Sequence, residues 1–158
     1  MAIPIINLSI LNGGNGFRME GFAADNASRG SVSNAGDVNG DGFDDVIVGA
    51  YKADPNGRYS GSSYVVFGKA AGFDAGINLS SLDGDNGFRL NGDKYSSAGI
   101  SVSNAGDVNG DGFDDVIVGA LDNDYVVFGK ASGFDATLSL SDLDGKSGFR
   151  LNGTAVDG

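Results

Sequence analysis

The sequence predicts an all-β chain assembled from two copies of a four-strand unit, and three observations lead there. Of its 158 residues, 28 are glycine, 2 are proline and 41% are hydrophobic, so the chain has material for a core and many places to turn. Short apolar runs such as Val46-Ile47-Val48 and Tyr64-Val65-Val66-Phe67 lie between clusters of Gly, Asn, Asp and Ser, with no long helical periodicity. Finally, SVSNAGDVNGDGFDDVIVGA stands at residues 31–50 and again, unchanged, at 101–120.

Two further motifs recur around the identical segments. Asn15-Gly16-Phe17-Arg18 is echoed by Asn86-Gly87-Phe88-Arg89 and Ser147-Gly148-Phe149-Arg150, and Tyr64-Val65-Val66-Phe67-Gly68-Lys69 by Tyr125-Val126-Val127-Phe128-Gly129-Lys130. Taken in order, the chain starts with one extra outer strand at residues 17–21. The first strand of each unit, around 30–34 and 100–104, alternates Ser with Val and suits a crowded position. The second (45–50 and 115–120) and third (64–67 and 125–128) are apolar almost throughout and call for cover on both faces. The fourth (88–91 and 149–152) alternates Phe, Arg and Leu, as a half-exposed outer strand does. Small inside, apolar in the middle and amphipathic outside is the gradient across a β-propeller blade. The chain then reads as a single repeat array over 1–158: the extra strand within 1–21, one four-stranded antiparallel blade over 22–92, a second over 93–153, and a tail at 154–158.

Inside each identical segment, oxygen-bearing side chains fall on alternate positions: Asp37, Asn39, Asp41 and Asp45 in one, Asp107, Asn109, Asp111 and Asp115 in the other. A hard divalent ion takes about six to eight oxygens, and alternate side chains on a tightly curved loop converge on one point. Gly42 and Gly112 permit the sharp turn, and the carbonyls of Phe43 and Phe113 stand where a backbone ligand is needed. Three carboxylates and an amide suit Ca2+ better than magnesium, which holds its waters, and suit zinc poorly in a chain with no His or Cys. An EF-hand is disfavoured because its closing Glu is replaced by Val48 or Val118 and a strand follows. The expectation is two calcium sites per chain.

Charge and composition exclude several functions. A formal net charge of −11 disfavours nucleic acid and anionic membrane surfaces, which need clustered Lys and Arg. Residues 3–6 are too short for a signal core, and no apolar stretch approaches membrane-spanning length, so no membrane insertion is expected. The lack of His and Cys removes the usual nucleophile and base pairs, and the carboxylates recur with the repeat whereas a catalytic pair is unique; no enzyme is expected.

Asp-x-Asn-x-Asp-Gly-Phe-x-Asp, the following Val-Gly-Ala and the Tyr-Val-Val-Phe-Gly motif resemble the FG-GAP repeats of the integrin α-subunit β-propeller over nearly the whole chain. The resemblance implies four-stranded blades, calcium held between strands one and two by Asp37, Asn39, Asp41, Phe43 and Asp45 and by Asp107, Asn109, Asp111, Phe113 and Asp115, and an extracellular or cell-surface adhesion role. The proline of the family's Gly-Ala-Pro element is replaced by Tyr51 and Leu121.

Two blades leave open edges and uncovered apolar faces, so a homo-oligomer is expected, a trimer or tetramer of two-blade chains closing a six- or eight-bladed ring. The alternatives are an engineered or excerpted propeller scaffold with no ligand, or an accessory domain of a secreted hydrolase. A protein or carbohydrate ligand would meet the variable loops 22–29, 51–62, 93–99 and 121–124, where Tyr51, Lys52, Arg58, Tyr59, Lys94 and Tyr95 cluster. Asp83-Gly84-Asp85 reads as a hairpin turn, and Arg18, Arg89 and Arg150 as outer-rim partners of acidic neighbours.

Overall fold

Runs that are apolar on both sides are satisfied only between packed layers, and the two that follow the repeated loops become interior strands of two stacked sheets. A computed structural model describes residues 7–21, 30–121 and 123–153. Its strands are β1 (Arg18–Glu20), β2 (Val32–Gly36), β3 (Asp45–Ala50), β4 (Ser62–Val66), β5 (Gly76–Asn78), β6 (Gly87–Asn91), β7 (Ser101–Gly106), β8 (Asp115–Gly119), β9 (Asn123–Val127), β10 (Thr137–Ser139) and β11 (Gly148–Asn152). One sheet has the order β10-β6-β4-β3-β2, a second β11-β9-β8-β7, and β1 pairs with β5. The fold is all-β, in sheets consistent with partial propeller blades.

Within each large sheet the four strands of one repeat run antiparallel, with Val48 opposite Val32 and Tyr64 in one and Val118 opposite Val102 and Tyr125 in the other. The first strand of each repeat runs further than its Ser/Val alternation suggests, through Gly36 and Gly106, because a bulge after Asn34 and Asn104 lets pairing resume. The third strand starts earlier, at Ser62 and Asn123, so these residues are paired strand and not variable loop. The connection 22–29 and the tail 154–158 lie outside the described residues.

The principal departure from the sequence reading is a fifth strand. In each repeat the segment after the third strand reaches back to the outer strand of the preceding unit: β10 pairs parallel with β6, setting Leu138 opposite Leu90, and β5 pairs parallel with β1, setting Ile77 opposite Met19. Each is followed by a short 3-10 turn, Leu79–Ser81 or Leu140–Asp142, that turns Leu79 or Leu140 into the core.

The sheets meet through one apolar core. Ile47, Val65 and Leu90 of the five-stranded sheet are fully buried, against Val116, Val118 and Tyr125 of the other, and Leu140 seals the outer end. Phe134 stacks on Phe88 with centroids 4.6 Å apart and meets Phe67 edge-on at 5.3 Å, binding the outer strand to the strap that crosses it. A smaller cluster, Ala50, Ala53, Tyr64, Val66, Leu79 and Leu82, is packed by Met19, Phe73 and Ile77.

Candidate functional site

Each identical segment leaves its sheet at the bulge, curls through Asp37–Asp45 or Asp107–Asp115, and re-enters as the second strand. Gly42 and Gly112, at φ +88° and +94°, make the turn that a side chain would strain. Three of the five predicted ligand residues are drawn inward. Asp37 accepts from Asp41 N at 3.0 Å and Gly42 N at 2.9 Å, Asn39 Oδ1 accepts from Asp41 N at 3.1 Å, and Asn39 Nδ2 donates to Asp41 Oδ2 at 3.0 Å. The second loop repeats this with Asp107, Asn109 and Asp111, at 2.8–3.0 Å. Phe43 and Phe113 enter through their backbone N–H groups, which donate to Asp41 Oδ1 and Asp111 Oδ1.

Asp45 and Asp115 are placed differently. They are 1% and 0% exposed, beneath the loop, and each clamps it to the end of the third strand: Asp45 accepts from Val38 N and Gly68 N, Asp115 from Val108 N and Gly129 N, all at 2.8–2.9 Å. Burial outweighs these bonds and, with repulsion from Asp41 and Asp37, pushes the Asp45 carboxyl up to about 6. Burial raises Asp115 as well. The clamp explains the recurrent Phe-Gly: a Cβ at Gly68 would lie 2.5 Å from Asp44 O and 2.8 Å from Phe43 Cβ.

Among the described residues, no three acidic side chains form a ready-made metal cage. The physical reason is visible in the bonds: carboxylates at alternate positions repel one another and turn to the loop's N–H groups. The donor set is nonetheless all oxygen, on one curved loop, twice.

One residue of consequence is missing from the sequence reading. Asp114 reaches across to the first loop, its Oδ2 accepting from Asp37 N at 2.9 Å while its N–H donates to Asp37 O at 3.2 Å. Its repetition as Asp44 marked the position, but only the stacked sheets supply the partner.

The variable loops form a second, separate region. Tyr95 N donates to Arg58 O, Ser97 N to Tyr59 O, and Asn56 Nδ2 to Gly92 O, so the loops around residues 51–61 and 92–99 are joined. Tyr59 and Tyr95 are exposed and hold positive φ (55° and 70°), a strained conformation for a bulky residue. Arg58 and Lys94 lie over those rings at 4.8 and 4.9 Å. Of the other motifs, Asp83 Oδ1 accepts from Asp85 N and Asn86 N and so closes a turn, Arg18 pairs with Glu20 at 3.3 Å, and Arg89 donates to Thr137 Oγ1.

Comparison with known proteins meets this architecture. Residues 29–66 and 98–133 match the FG-GAP repeat family, each match spanning one curled loop and its flanking strands. The chain is 32% identical to human integrin alpha-6 over 124 residues, which is 74% of this chain and 10% of that protein. It is 30% identical to integrin alpha-4 of Xenopus laevis over 135 residues (80% of this chain, 12% of the relative) and 40% identical to human integrin alpha-7 over 94 (58% and 7%). The chain thus spans about a tenth of the length of these curated relatives. Two FG-GAP repeats, one curled loop to each large sheet, therefore account for 74 of the 158 residues, and over about three quarters of its length the chain belongs with the integrin α-subunits as their homologue.

Proposed function

We propose that this chain is a non-enzymatic, calcium-binding β-propeller module in which one Ca2+ per blade stiffens the loop between the first and second strands. The observation that carries the reading is the loop itself: in both copies, three oxygen-bearing side chains at alternate positions, two carboxylates and an amide, turn inward on one tight turn above a buried third carboxylate. Asp37, Asn39, Asp41, the Phe43 carbonyl and Asp45 would hold the first ion, and Asp107, Asn109, Asp111, the Phe113 carbonyl and Asp115 the second. Bound calcium supplies positive charge where carboxylates crowd, and the residues contribute a loop already curved to receive it. By its integrin relatives the module is read as an adhesion-type component at the cell surface or outside the cell, where calcium is abundant.

Calorimetric titration tests the metal assignment. Two sites per chain are expected, Asp41→Ala and Asp111→Ala each removing one; a chain that takes up no calcium overturns it. A ligand of the module, a sugar or an acidic protein segment, is read onto the Tyr59 and Tyr95 platform, whose strained, exposed rings carry adjacent cations.

A further inference from the structure

The two large sheets meet through faces that the repeat supplies twice and the chain uses once. On the four-stranded sheet, Val102, Val116 and Val118 are buried against the five-stranded sheet, whereas the identical Val32, Val46 and Val48 lie on the opposite, open side of the junction, Val32 with 69% of its surface exposed. On the five-stranded sheet, Val38 and Ile47 are fully buried at the junction, whereas Val108 is 50% exposed and Ile117 only partly covered. Each open face is the chemical duplicate of one half of the junction.

The polar contacts are duplicated too. At the junction Asp114 exchanges two hydrogen bonds with the backbone of Asp37, and Lys130 N donates to Val38 O at 3.0 Å. Their counterparts Asp44 and Lys69 stand on one open face, and Asp107 and Val108 on the other. Phe113 covers Gly40 so closely that a Cβ there would collide with the ring, while Phe43 is 42% exposed and the space above Gly110 is open. Gly36 fits against Asn104 and Asp114, and the matching hollow of the five-stranded sheet, about 360 Å³ lined by Val32, Asn34, Asp44 and Val46, is open.

We infer that a second copy of this chain docks head to tail, its Val32 face on the Val108 face of the first, reproducing between copies the junction that each copy contains. The contact is heterologous, so it propagates to a ring or a chain of copies. It extends the propeller reading by naming the partner and makes no use of calcium.

The outer strands show how the copies fit. Inside the chain one outer strand, β6, serves the junction: it pairs with β4 on one side and β10 on the other, and its Phe88 sits between Phe67 and Phe134. Joining two copies brings Phe128 of the first to Phe73 of the second, with two rings, Phe149 of the first and Phe17 of the second, for the one place between them. β11 is held to β9 by five antiparallel residue pairs, β1 to β5 by three parallel ones, a weaker arrangement per residue. β11 therefore stays and β1 gives way, so that β5 of the second copy pairs with β11 as β10 pairs with β6. Leu151, 44% exposed, is then covered as Leu90 is, at 0%.

Static light scattering across a concentration series, in calcium and in chelator, tests the docking apart from the metal. Wild type should rise above the mass of one chain. Val32→Asp and Val108→Asp, both at exposed positions, should each stay monomeric, yet mixing them should give a complex of two chains, since one retains each half of the contact. A wild type monomeric at every concentration, self-association surviving in either variant, or no complex on mixing would overturn the inference. Met19→Pro, which weakens β1, should tighten association; unchanged or weaker association would overturn the assignment of β11.

Discussion

Residues 31–50 and 101–120 are the same twenty amino acids in two surroundings, and the contrast separates what a segment fixes by itself from what its neighbours fix. Both copies make the same bulge, the same inward-turned loop and the same buried carboxylate clamp. They differ in which valines are covered: Val38 is buried and Val108 is not, Val102 is buried and Val32 is not. Local geometry follows from spacing, turn residues and side-chain oxygens, whereas burial follows from the sheet stacked alongside.

The largest effect expected from this contrast comes from placing one charge at both positions. In the monomer, Val38→Asp puts an unpaired carboxylate into the junction and should destabilise by about 3–5 kcal/mol, while Val108→Asp should stay within about 0.5 kcal/mol. Chemical denaturation of the two variants checks it, and equal losses would erase the distinction between the faces. Next in size is the titration of Asp45. Its carboxyl, ordinarily near 3.8, is raised to about 6, so the folded state takes up protons more readily than the unfolded chain. The stability this gives is fully present below about pH 4 and is lost as pH rises through about 6, a change of up to about 3 kcal/mol. Measured in chelator, the stability of wild type relative to Asp45→Asn should therefore decline from pH 4 to 7; a flat difference would show that Asp45 titrates as an ordinary carboxyl. Smallest is Arg18→Ala, whose exposed pairing with Glu20 should be worth under about 1 kcal/mol in thermal melts.

The sequence made the sheets legible where its signals were long. Apolar runs of Val and Ile located β3 and β8, and alternating Phe, Arg and Leu located β6 and β11. β5 and β10 escaped because three residues hold no period, and their pairing with an outer strand of the preceding unit is a contact at long range. In the loops, alternate oxygens foretold that Asp37, Asn39 and Asp41 would turn together. The spacing did not foretell that Asp45 would lie buried beneath them on Gly68 N, nor that Asp114 would cross to Asp37, since both partners come from elsewhere in the chain.

The central claim is that the crowded carboxylates of both loops are there to receive calcium. Melting in excess calcium against melting in chelator tests it most directly. At ligand a hundredfold above Kd each occupied site adds about 2.7 kcal/mol, and about 1 kcal/mol moves Tm by roughly 2–4 °C in a chain of this size, so a rise of several degrees or more is predicted. An identical Tm in the two solutions would contradict the account.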